Sequence, residues 1–219
     1  MAIEINYSLR LDERNFIPEK SPKDLIVLHH TVSGSARGTF NWWQNRHRRI
    51  ATAYIIEKDG TVFELFDPCC WAFHLGLRGT GGVVDRRSIG IELVNWGGLT
   101  ESDGKLYRLD RIEKKYEFKS DYYQHHESYR GYQYFEKYSE SQNNSTIALT
   151  HYLSKEFNIP IIFPQNSSKY HKKFNQLTGI WGHCHFREDK SDPHPGFDWN
   201  LFKDTFCQGS KISIRPRVP

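Results

Sequence analysis

The residues best equipped for chemistry crowd into one stretch. Residues 180–199 read IWGHCHFREDKSDPHPGFDW. They include His183, His185 and His194, with Cys184 between the first two, Lys190 among acids, and the steps Asp192-Pro193 and His194-Pro195. The stretch is too polar and too often broken by proline to be core, so its composition asks for a reason other than packing. Metal ligation supplies one. Zinc in a hydrolase takes three protein ligands from His, Asp, Glu or Cys and keeps one position for water. His183 closes a short strand-like run at 177–182, and the loop beyond it offers Cys184, His185, Glu188, Asp189, Asp192 and His194. Asp192 stands out because Pro193 restricts it to extended geometry. Spacing alone leaves the third ligand open, and Cys184 reads equally well as a buried, inert thiol.

A second half of such a site must come from elsewhere. Leu25-Ile26-Val27-Leu28 is a continuous apolar run, as expected of a strand buried on both faces, and it ends in His29-His30. Strand alternation sends those two imidazoles to opposite faces, so only one can enter a site beyond the strand end. Another strand is expected over 88–95, where Glu92 sits inside an apolar run. An unpartnered carboxylate there is costly, so Glu92 is exposed at a strand end, paired, or catalytic. His74 lies in a glycine-rich loop at 69–85, where a lone histidine is ordinarily solvated.

The elements that position these residues can be read in order. Residues 1–23 form a mixed, polar N-terminal arm expected to lie over the domain. The stretch 39–49 predicts an amphipathic helix with Ser35 or Thr39 as N-cap and its tryptophans facing the core. Residues 51–57 and 61–66, joined by Lys58-Asp59-Gly60, predict a hairpin whose first arm carries Tyr54. Residues 97–138 turn rich in Lys, Tyr and Glu and are expected to be an excursion on the same domain, an extra hairpin. Its interleaved aromatics and bases read as a solvated face, or as a surface that stacks on sugars or bases. Ser139 and Gln142 fit a capping box ahead of a helix at 146–157, and a short last helix is expected at 197–206. The tail at 207–219 is basic and expected to be ragged.

Composition narrows the class. The 219 residues suit one well-cored domain, here placed at 24–206, and 37% hydrophobic content with 15% aromatics suits a globular chain. A formal net charge of +4 falls well short of the basic stripe of a nucleic-acid binder. No apolar run is long enough to span a membrane, and the N-terminus lacks the pattern of a signal peptide. The expectation is synthesis in the cytoplasm, and residence there unless another route carries the protein out. The four cysteines form no CxxC pair and are expected to be free thiols.

Four motifs together resemble one family, the zinc-dependent N-acetylmuramoyl-L-alanine amidases of type 2, similar in fold to T7 lysozyme and the peptidoglycan recognition proteins. IVLHHT at 26–31 resembles the first zinc-ligand strand, and AYIIEKDGTVFEL at 53–65 the hairpin bearing an active-site tyrosine. FHLG at 73–76 with RSIGIEL at 87–93 resembles the substrate-side loop and the strand with a site carboxylate. GHCHFREDKSDPHPGFDW at 182–199 resembles the run of second ligand, lysine and third ligand. The likeness covers roughly 24–96 and 139–206.

The resemblance implies a single α/β domain with a mixed central sheet flanked by helices, and Zn2+ held by His29, His183 and Asp192. It implies Tyr54, Glu92 and Lys190 as catalytic residues and His74 as a substrate contact or proton carrier. The implied reaction is hydrolysis of the peptidoglycan amide between N-acetylmuramic acid and L-alanine by a monomeric, phage-type lysis enzyme. A non-catalytic peptidoglycan-binding module, a wall-recycling amidase and an injected effector are the alternatives. Two departures stand out: the excursion at 97–138 has no counterpart, and His194 occupies a position where the Asp-Pro motif commonly has glycine.

Overall fold

A computed structural model describes residues 2–109, 114–207 and 213–216. In chain order it contains β1 (Ala2–Asn6), β2 (Leu25–His30), α1 (Ala36–Gln44), β3 (Tyr54–Ile56), β4 (Val62–Glu64), α2 (Val83–Arg86) and β5 (Ser88–Leu93). The former excursion supplies β6 (Gly98–Ser102), β7 (Lys105–Leu109), β8 (Lys115–Glu117), β9 (Tyr122–Tyr129) and β10 (Tyr132–Glu136). The chain continues with α3 (Glu140–Glu156), β11 (Gly179–Gly182), α4 (Trp199–Cys207) and β12 (Ser213–Pro216).

Seven strands build a mixed sheet in the order β11-β2-β5-β3-β4-β1-β12. Only β3 and β4 pair antiparallel in it, through the expected hairpin, where Asp59 Oδ1 accepts from Thr61 N at 2.8 Å and Gly60 takes φ +88°. All six residues of β2 are buried between parallel neighbours, which is why its sequence is a run and not an alternation.

Helix α1 starts and stops earlier than expected. Ser35 Oγ caps it from Gly38 N at 3.1 Å, and His47 and Arg49 take positive φ values that end helical geometry. Trp43 faces the core, while Trp42 is exposed with the Arg46 guanidinium 3.4 Å over its ring. Helix α3 begins at its cap, Ser139, whose Oγ accepts from Gln142 N at 3.0 Å. The buried Gln142 side chain donates to Ile56 O and Val94 O, satisfying carbonyls at the ends of β3 and β5.

Two expectations are corrected here. The excursion is not one hairpin but a five-stranded antiparallel sheet, β8-β7-β6-β10-β9. Its glycine at Gly98 leaves room for the Tyr132 ring, and Phe135 is buried against the domain. The arm and tail also do more than lie over the domain or fray. Ile5 pairs with Val62, and Ala2 pairs with Ser213, so β1 and β12 extend the main sheet. Residues 208–212 and 217–219 of the tail lie outside the described residues.

Candidate metal centre

Parallel strands deliver their carboxyl ends to one side of a sheet, and crevices beyond those ends are where α/β folds place ligands. Here β2 and β11 are neighbours, with Leu28 in register with Gly182, so His29 and His183 leave adjacent strand ends together. Glu92 on β5 is in register with His29 on the other side. As alternation requires, His30 points the opposite way, with Nδ1 3.3 Å from the Tyr138 hydroxyl.

The loop after His183 returns Asp192 to both histidines. His29 Nδ1 and His183 Nδ1 are 3.0 Å apart, and Asp192 Oδ2 is 3.2 Å from the first and 3.0 Å from the second. All three residues are buried. Gly182 permits the return, because a side chain there would run into Pro193. Among the described residues this is the one group of three or more His, Cys, Asp or Glu suited to a metal ion.

The hydrogen bonds behind the triad decide where its protons are. His183 Nε2 lies 3.0 Å from Leu75 O, and a carbonyl only accepts, so the neutral imidazole carries its proton on Nε2. His29 Nε2 lies 2.8 Å from His74 Nδ1, His74 Nε2 lies 2.7 Å from Ser88 Oγ, and Ser88 Oγ donates to Asp85 O at 3.1 Å. That chain ends on a carbonyl, so each link donates toward it and His29 also keeps its proton on Nε2. Both Nδ1 atoms therefore face Asp192 Oδ2 as bare lone pairs. Three acceptors converge with no proton between them, an arrangement that a cation satisfies. Donors about 2.0–2.1 Å from a tetrahedral centre stand roughly 3.3 Å apart, close to the observed triangle.

Electrostatics agree. Burial, then the neighbouring His183, pushes the His29 imidazole down to about 3, and burial pushes His74 down to about 4, so both are neutral at pH 7.

The remaining candidates sort by what they touch. His185 is spent on Gly182 and Asn166 O. Cys184 is buried beside Ser167 O, and burial pushes its thiol up to about 12. His194 lies between Phe135 and Tyr138, at 4.8 and 4.4 Å between ring centroids, with Nδ1 accepting from Gly196 N. The second sheet thus grips the loop that carries Asp192.

Lys190, half-buried on the same loop, adds to the burial that depresses His30. Tyr54 is not brought to the triad. Its register partner Ile91 is also that of Leu28, which puts it on the face away from His29, and its hydroxyl donates to Glu64 at 3.0 Å. His74 stands behind His29 as its hydrogen-bond partner, a different place from the substrate contact expected.

Comparison with known proteins bears on what such a site does. The family model described as N-acetylmuramoyl-L-alanine amidase matches residues 19–195. The chain belongs to this family. It is accordingly an amidase, with the α/β fold the family implies. Similar solved structures include PlyL (15% identity, 94% of this chain and 96% of that one, TM-score 0.55). They also include an endolysin amidase, LysCS, from Clostridium intestinale (18%, 94% and 95%, TM-score 0.51). A third is the E. coli amidase AmiD in complex with anhydro-N-acetylmuramic acid-L-Ala-D-gamma-Glu-L-Lys (17%, 87% and 60%, TM-score 0.54). At these identities the likeness is one of fold. No curated protein matches the chain. No helix among the described residues is long and apolar enough to cross a membrane.

Sequence reasoning missed Asp85, Ser88 and Arg187. Arg187 Nη1 donates to Gly76 O at 3.1 Å, tying the ligand loop to the His74 loop. The available signal was Gly76, whose φ of +62° and lack of a Cβ make room for that guanidinium.

Proposed function

We propose that this amidase is zinc-dependent and cleaves the amide between the lactyl group of N-acetylmuramic acid and the L-alanine of the peptidoglycan stem peptide. The observation that carries the reading is the proton-free convergence of His29 Nδ1, His183 Nδ1 and Asp192 Oδ2. Those three atoms would hold Zn2+, which supplies Lewis acidity toward a carbonyl and makes water more acidic. Glu92, in register with His29 on the neighbouring strand, takes a proton from water and returns it to the alanine nitrogen as the amide breaks. Lys190 stands two residues before Asp192 and places its ammonium against the oxyanion developing on the lactyl carbonyl, a contribution of about 3 kcal/mol. His74 acts on His29 and not on substrate. Tyr54 holds the β3–β4 hairpin to Glu64.

The endolysin named among the neighbours supports a phage-type lysis role, acting as a monomer on the wall. The test is direct. Purified protein should bind one zinc per chain, release new amino groups from muropeptides, and lose that activity on chelation. Binding to peptidoglycan without new amino groups would make it a receptor, and undiminished activity after complete metal removal would overturn the zinc assignment.

A further inference from the structure

We infer that Asp85 and Ser88 are positioning residues that fix the proton register of both metal-facing histidines; this rests on the metal reading above. The relay His29–His74–Ser88 can run in two directions. In one, every proton points toward Ser88 and His29 Nδ1 is bare. In the other, Ser88 donates to His74 Nε2, His74 Nδ1 donates to His29 Nε2, and the leftover His29 proton sits on Nδ1, where it excludes a cation. Both directions satisfy the relay internally. Asp85 O selects between them: it is 3.1 Å from Ser88 Oγ, can only accept, and belongs to a residue that is 1% exposed. Reversal would leave that carbonyl only the Arg87 N–H and turn a bare serine oxygen against it, two acceptors in a buried contact.

The same aspartate governs the second histidine through the backbone. Asp85 Oδ1 accepts from His74 N and Leu75 N, each at 2.9 Å, which anchors the backbone leading into Leu75, the residue whose carbonyl accepts from His183 Nε2. One residue on the four-residue helix α2 therefore holds His29 through its carbonyl and His183 through its carboxylate. Gly90 completes the arrangement, since any side chain there would press on the His74 ring and on Thr52. Partners that orient ligating histidines commonly change metal affinity 10–100-fold when removed.

The experiment compares the wild type with Ser88→Ala and Asp85→Ala. In the metal-free wild type, 15N–1H correlation spectra should show His29, His74 and His183 all protonated on Nε2. In Ser88→Ala, His29 should gain an Nδ1-protonated form while His183 keeps its signature, and zinc affinity measured by chelator competition should fall about 10–100-fold. Asp85→Ala removes the carboxylate but keeps the carbonyl that accepts from Ser88, so it should disturb the His183 signature and leave His29 protonated on Nε2; if it does not fold, Ser88→Ala still decides. An unchanged His29 signature with zinc affinity within about threefold of wild type would overturn the inference. A wild type that binds no zinc would instead refute the metal reading, while the spectra still report the relay.

Discussion

Replacing Tyr54 with phenylalanine separates the two roles a tyrosine in this hairpin could have. The side chain is buried, and its hydroxyl donates to Glu64 Oε2 at 3.0 Å. A hydrogen bond to a charged acceptor contributes about 1.5–3 kcal/mol net. Glu64 keeps its second partner, Arg10 Nη1 at 2.6 Å, so Tyr54→Phe should cost toward the low end, about 1–2 kcal/mol. For a chain of this size that is a fall in Tm of roughly 2–8 °C. Urea unfolding gives the stability term, and release of amino groups from muropeptides gives kcat and KM. With the hydroxyl on the face away from His29, kcat/KM should stay within about twofold of wild type. A loss of kcat beyond about 100-fold with only the modest stability change would place the hydroxyl at the reacting carbonyl and refute the assignment.

Further outcomes follow from the same geometry. Lys190→Ala should lower kcat by about 10²–10³ with zinc content unchanged, measured by turnover and metal analysis; full turnover would remove it from the mechanism. Asp192→Ala should lose stoichiometric zinc while Cys184→Ser retains it, and the reverse pattern in metal analysis would exchange their roles. His194→Ala removes the ring between Phe135 and Tyr138 and should destabilise by about 3 kcal/mol in chemical denaturation. The pH dependence of the metal-free protein also has a defined sign. His29 and His74 are depressed to about 3 and about 4 when folded, so below about 6.5 the unfolded chain binds more protons. Stability should fall as pH drops from about 6.5, with the penalty levelling off near 3–4; a flat Tm over that window would contradict the burial of these imidazoles.

The pairing of His29 with His183 was legible because its signals are local: two strand-like runs that each end in histidine. Choosing Asp192 over His185 and His194 was not, because all three share one loop and differ only in what packs on them. His194 finds two aromatic rings from a distant segment, and no spacing rule announces that. Tyr54 shows a second limit. Period-two alternation says which residues share a face, but which face is set by register with β5, a partner 30 or more residues away. The second sheet was underestimated because its strands alternate only partly, with charged and aromatic residues on both faces. Asp85 was invisible for another reason: half of its role belongs to its backbone carbonyl, which every residue has.

The pairing of β1 with β12 carries a kinetic consequence. Ala2 meets Ser213, so this seam joins segments some 210 positions apart in the chain. Closing so long a loop costs little more in equilibrium terms than closing a short one, about 0.6 kcal/mol for each doubling of length. Folding rates are more sensitive, because non-local pairing must wait for the rest of the chain to be ordered. The β2–β5–β11 half, with the histidines, can assemble before this margin is sealed. The margin is then the place where the sheet should open first under force or denaturant, at the far end of the strand order from β11. Hydrogen exchange should find the amides of β1 less protected than those of β2, so that the chain can begin to unzip while the histidine-bearing strands remain closed.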